Sequence, residues 1–175
     1  MPGGRRGRLT RTADAIAVER QLGRPPRALR RVVTRCPYGL PAVTEQEPYD
    51  SAGEPFPTTY YLTCPYAVAV VARAEADGGV EHWSERLASS PELRESLGQA
   101  TLHQRRLRRE LAESRVGPDG GKSLELGIGG SANPLQLKCL HAHVAFALAT
   151  REYALGTEIL GELDPLFPED RCCCI

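Results

Sequence analysis

The sequence predicts an α+β fold, with a small antiparallel sheet in the N-terminal half packed against a mainly helical C-terminal half. Three observations predict it. Runs rich in β-branched or aromatic residues are confined to the early chain, at Val32-Val33-Thr34 and at Thr58-Thr59-Tyr60-Tyr61-Leu62-Thr63. After Pro65 the apolar residues recur at helical spacing, with Leu93, Leu97, Leu107 and Leu111 forming one stripe. Proline and glycine clusters punctuate the boundaries between these segments.

The elements follow in order. Thr12 or Asp14 opens a short helix carrying Ile16, Val18 and Leu22, which Gly23 ends and Pro25-Pro26 stop from continuing. Leu29–Thr34 reads as a strand entering Cys36. Pro37, Gly39 and Pro41 then force a turn before a return strand over residues 42–47. Residues 48–57, with three prolines and Gly53, form a loop ahead of the strand at 58–63. Pro65 suits the first position of a helix, because proline lacks only a donor that is unused there, and the helix runs to Asp77. Gly78-Gly79 stops it. Helices are expected over 80–88 and 91–114, a glycine-rich loop over 117–134, and two further helices over 137–150 and 153–163. The organisation is a basic arm at residues 1–11, a single globular domain at 12–171 and a cysteine-rich tail at 172–175.

Composition is that of a globular chain, with 175 residues, 41% hydrophobic and 25% charged. A single Trp and three Phe leave most of the core to aliphatic side chains. Residues 1–35 carry ten arginines against Asp14 and Glu19, whereas residues 36–99 carry three against ten acids. A basic arm beside an acidic body suits a partner or a self-contact. No aromatic residue interleaves with the arginines as a stacking platform requires, which argues against nucleic acid and leaves a protein partner open. No apolar run approaches the roughly 20 residues that span a bilayer, and no hydrophobic segment follows the basic start. A cytoplasmic location is therefore expected, where thiols stay reduced. The terminal Cys-Cys-Cys-Ile lacks the aliphatic centre of a prenylation signal.

The chemistry-bearing residues are cysteines. Cys36 sits in Arg-Cys-Pro-Tyr-Gly, Cys64 in Leu-Thr-Cys-Pro, and Cys139 in Lys-Cys-Leu-His-Ala-His; Cys172, Cys173 and Cys174 crowd the end. Dispersed thiolates with neighbouring histidines are ligands for a soft metal or an iron–sulfur cluster. Cys64 would be the N-cap of the helix begun by Pro65, where the helix dipole favours a thiolate; the alternative is a small buried hydrophobe at a strand–helix junction. Cys36 and Cys64 each end a strand and each precede proline, so both are expected at one edge of the sheet. On a helix including residue 139, Cys139 and His143 share a face while His141 points the opposite way, which nominates His143 as co-ligand. Either histidine could equally be an ordinary core or surface residue. The fourth ligand would be His143 or a tail cysteine such as Cys172 or Cys173. The absence of Cys-x-x-Cys knuckles favours an iron–sulfur cluster over zinc. Gly127-Ile128-Gly129-Gly130 reads as a connecting loop or an anion cradle; Walker, Gly-x-Ser-x-Gly and His-Glu-x-x-His motifs are absent.

Three segments occur in a characteristic order: Arg35-Cys36-Pro37-Tyr38-Gly39-Leu40-Pro41, then Pro55-Phe56-Pro57-Thr58-Thr59-Tyr60-Tyr61-Leu62-Thr63-Cys64-Pro65, then Lys138-Cys139-Leu140-His141-Ala142-His143. The series resembles the bacterial domain-of-unknown-function family 501, common in actinobacteria, over about residues 12–174. The resemblance implies a cytoplasmic bacterial protein and carries over no catalytic residues. Typical members follow the Lys-Cys-Leu-His helix with Asn-Pro-Val-Gly, where this chain has Tyr153-Ala154-Leu155-Gly156.

Three functions fit these residues. The first is a cysteine-ligated metal protein built on Cys36, Cys64 and Cys139. The second is a thiol enzyme with Cys64 as nucleophile and a histidine as base. The third is an interaction module using the basic arm and the arginines around residues 105–115.

Overall fold

A computed structural model describes residues 12–163 and 165–172. The expected α+β architecture is present. Helix α1 (Ala13–Leu22) is capped by the Thr12 hydroxyl, which accepts the Ala15 N–H at 3.2 Å, and ends at Gly23 with φ +67°. It presents Val18 to the interior and leaves Ile16 exposed. A hairpin follows, made of β1 (Leu29–Arg35) and β2 (Pro41–Gln46), and β3 (Tyr60–Leu62) pairs with the far edge of β2. The sheet is antiparallel in the order β1-β2-β3, with Val43 opposite Leu62 and Glu45 opposite Tyr60.

The central strand is buried along its whole length, polar residues included. Glu45 can be inside because Arg31 grips it with two bonds of 2.8 and 3.0 Å from the neighbouring strand, and Arg30 adds a third at 3.2 Å. A buried carboxylate so compensated avoids the desolvation penalty of an unpaired charge.

Helices α2 (Pro65–Ala76), α3 (Gly79–Ser89), α4 (Pro91–Ala112), α5 (Leu140–Ala149) and α6 (Ala154–Glu162) complete the fold. The break between α3 and α4 is local chemistry: Ser90 caps α4 by accepting the Leu93 N–H at 3.2 Å, and Pro91 occupies the first helical position. Helix α5 is apolar on nearly every side and lies against the sheet. Its Leu148 carbonyl accepts the Thr34 hydroxyl at 2.8 Å, and its Phe146 ring meets Tyr60 edge-on at 5.5 Å. It begins at Leu140 rather than at residue 137 as its composition suggested.

Many of the described arginines are bonded within the molecule. Arg27 pairs with Asp50, Arg35 with Asp14, Arg109 with Glu125 and Arg115 with Glu47. Arg108, inside the segment expected to form a basic face, is completely buried. It donates to the Ser123 carbonyl at 3.1 Å, the Phe56 carbonyl at 2.9 Å and the Thr59 hydroxyl at 3.4 Å, tying α4 to the loop before β3. The basic arm over residues 1–11 lies outside the described residues. Among those described, no helix is long and apolar enough to cross a membrane.

Candidate functional site

The cysteines are positioned by the ends of the sheet and by two helix starts. Strands β1 and β3 run in the same direction on either side of β2, so Cys36 and Cys64 do leave the sheet at one end. The strand between them separates their backbones by about 10 Å, twice the interstrand spacing. Cys36 closes the hairpin turn, its N–H donating to the Leu40 carbonyl at 2.9 Å, and it is buried. Cys64 is the N-cap of α2, ahead of Pro65, in extended conformation and only 1% exposed. Cys172 is half-buried on the tail segment that the Tyr38 hydroxyl fastens by donating to the Pro168 carbonyl at 2.7 Å. Cys173 and Cys174 lie outside the described residues. Among the described residues, no group of three or more His, Cys, Asp or Glu side chains is arranged to hold a metal ion.

The pairing of Cys139 with His143 rested on a helix that includes residue 139. Cys139 is instead the N-cap of α5, with φ −157° and ψ 147°, so helical spacing does not apply to it. His143 points into the core, fully buried, with Nδ1 2.5 Å from the Tyr153 hydroxyl. Burial pushes the His143 imidazole down to about 4 and the Tyr153 phenol well above its ordinary value. The pair is therefore a neutral core contact.

His141 takes the place beside Cys139. Its Nδ1 lies 3.1 Å from Glu75 Oε1 and its Nε2 lies 3.2 Å from the Val68 carbonyl oxygen. Both partners accept hydrogen bonds, so the ring is held between two acceptors. Glu75 Oε1 also accepts the Leu140 N–H at 2.5 Å and the His141 N–H at 3.4 Å. A carboxylate from α2 thus does for α5 what the uncapped Cys139 does not. Burial pushes the Cys139 thiol up, against the Ala142 N–H and Lys138, which pull it down; Glu75 adds to the rise.

Cys139 and His141 share the wall of a cavity of about 560 Å³, within the usual range of small-molecule sites, about 300–1,000 Å³. The strand β3 and its flanks contribute Thr58, Tyr60, Tyr61, Leu62 and Thr63. Pro65 and Val68 come from the first turns of α2, Ala142 from α5, and Gln21 and Leu22 from α1. Gly129 closes the floor with φ +70°; a Cβ there would stand 3.3 Å from Ala142 Cβ and 3.6 Å from Cys139 Sγ. Among the described residues no Asp, Glu, Lys or Arg lines the cavity. Its wall is mostly hydrocarbon and aromatic ring, interrupted by hydroxyls, an amide, a thiol and an imidazole.

Sequence reasoning named Cys139, His141 and the Gly127–Gly130 loop, but neither the cavity they line nor Glu75 behind His141. Two of the three segments noted in the sequence, the one ending in Leu-Thr-Cys-Pro and the one containing Lys-Cys-Leu-His, converge on this space. The Arg-Cys-Pro-Tyr-Gly segment instead forms the hairpin turn.

No curated protein and no solved structure matches the chain. Residues 32–161, well over half of the chain, match the family described as Protein of unknown function (DUF501), and the protein belongs to that family.

Proposed function

We propose that this protein binds a small, mostly apolar organic molecule in the cavity between β3, α2 and α5, with the Cys139 thiol and His141 at its polar edge. The observation that carries this reading is the cavity itself: small-molecule dimensions, an apolar wall, and a few polar groups brought from separate elements. The cysteine-ligated metal, whether iron–sulfur or zinc, has less support, because the strand ends hold Cys36 and Cys64 apart and Cys139 starts another element. Thiol catalysis at Cys64 has less support too, since that sulfur is almost wholly buried and is not among the residues lining the cavity. Cys139 would need a base, and both ring nitrogens of His141 face acceptors.

The test is fluorescence titration with N-phenyl-1-naphthylamine, a neutral apolar dye that brightens when it leaves water. Saturable one-to-one binding is expected in the natural protein. Val68→Trp, which fills the cavity from α2 and leaves the backbone carbonyl to His141, is expected to weaken it at least tenfold. Equal binding by a folded Val68→Trp protein would overturn the proposal.

A further inference from the structure

We infer that the outer face of α4 is self-complementary, so that two copies of this chain pair through antiparallel α4 helices. The core stripe of α4 runs through Leu93, Leu97 and Gln104, all buried. Glu95, Gly98, Leu102 and Arg105 form a second stripe, about a third of a turn away and spaced three and four residues apart. Such spacing keeps a seam turned towards a neighbouring helix along its length. The four residues line an open groove bordered by Pro134 and Leu135. Leu102 is 58% exposed and Leu135 44%, so the apolar part of this face stands in water in the single chain.

Direction and register follow from the order of the residues. Glu95 and Arg105 lie equally far from residue 100, and so do Gly98 and Leu102. A two-fold axis beside residue 100 therefore sets Glu95 against Arg105 of the second copy, and Arg105 against its Glu95. The same axis lays each Leu102 over Gly98 of the other helix, where the Cβ position has open space. On the flank away from Pro134, exposed Glu92 comes opposite exposed Arg106 of the second copy. A parallel pair would instead place Glu95 on Glu95 and Arg105 on Arg105. The Nε of Arg105 is buried without a hydrogen-bond partner among the described residues, and Glu95 accepts the Gln99 amide through one oxygen only, at 2.9 Å. Arg94, beside the stripe, is turned back onto the Leu87 and Ala88 carbonyls and does not oppose the pairing. None of these residues lines the cavity beside Cys139, so this surface is independent of the ligand proposed there.

A helix contact from Pro91 to Arg109 is about 27 Å long, at the small end of specific interfaces, and a dimer of micromolar strength is expected. Sedimentation equilibrium in reducing buffer, from about 1 to about 200 µM chain, should show the mean mass rising from one chain towards two. Glu95→Arg and Arg105→Glu each set like charges against one another and should each weaken association at least tenfold. Mixed in equal amounts, the two variants should pair as tightly as the natural protein, because a basic stripe then meets an acidic one. Natural protein that keeps the mass of one chain up to 200 µM would overturn the inference. Association undiminished in both folded variants would place the contact off α4 and overturn it as well. A mixture that does not pair, after each variant alone has weakened, would overturn the antiparallel register. Should either reversal fail to fold, Leu102→Gln at the exposed centre of the stripe carries the same expected loss, and unchanged association in it would be equally fatal.

Discussion

Glu75 and His141 lock two helices together through one carboxylate oxygen. Oε1 of Glu75 lies 3.1 Å from the imidazole Nδ1 and also accepts the N–H of Leu140, the first residue of α5. The cap of α5 is therefore supplied from α2, 65 residues earlier in the chain.

Replacing Glu75 by alanine should lower unfolding stability by about 1–2 kcal/mol, mostly through loss of the cap, because the partly exposed contact with His141 adds little. Urea denaturation measures it. A change below about 0.3 kcal/mol would mean that water caps α5 equally well.

Gly156 and Gly98 should respond to alanine with opposite signs. A Cβ at Gly156 would lie 2.4 Å from the Tyr153 ring and 2.6 Å from Ala147 Cβ, so the ring must leave His143 or the helices must part. A loss of roughly 1–3 kcal/mol is expected from such overpacking. Gly98, inside α4, has open space at its Cβ position, and alanine there should add about 0.5–1 kcal/mol by helix propensity. Thermal unfolding of both variants, run side by side, would expose an error in either sign.

His143 makes the protein acid-sensitive. Its native imidazole stays neutral down to about 4, while the unfolded chain takes up a proton near the ordinary value of 6.5. Below 6.5 the unfolded state binds more protons than the native state, so stability falls as pH drops from about 6.5 towards 4 and is fully present above that window. The span corresponds to roughly 3 kcal/mol. Unfolding free energies measured across this window should slope downwards, and the slope should flatten in His143→Gln. An unchanged slope in that variant would remove His143 as the cause.

Arg108 holds the loop that enters β3. Arg108→Met leaves the Phe56 and Ser123 carbonyls without their donor inside the protein, and a loss of about 3 kcal/mol is expected. Because Thr58 lines the cavity, N-phenyl-1-naphthylamine should also bind several-fold more weakly. Unaltered dye affinity in a folded variant would separate the loop anchor from the cavity.

The parts of the fold readable from sequence were those set by neighbours along the chain. Thr12, Gly23, Ser90 and Pro91 mark helix ends through their own backbone chemistry, and each marks the end observed. Cys64 was legible as an N-cap for the same reason, since Pro65 must begin a helix. The start of α5 was not, because nothing near Cys139 caps it. The signal sits on Glu75, and no periodicity of one segment encodes a partner on another. That single misplaced start exchanged His141 for His143 as the neighbour of Cys139. The spacing of Cys36 and Cys64 followed similarly from the sheet: two strand ends predict a common edge, but only the strand order reveals that β2 stands between them. Arg108 reads as one member of a surface cluster until the loop carbonyls that surround it are placed.

The account turns on whether the space beside Cys139 takes up a molecule, and alkylation reads this at the thiol itself. Natural protein is treated with iodoacetamide at pH 8.5, with and without saturating N-phenyl-1-naphthylamine, and modification is followed peptide by peptide by mass spectrometry. Occupancy should slow labelling of Cys139 at least fivefold and leave Cys172, on the tail away from the cavity wall, at its original rate. Equal labelling of Cys139 in both samples, with the dye bound, would place the ligand elsewhere and contradict the account.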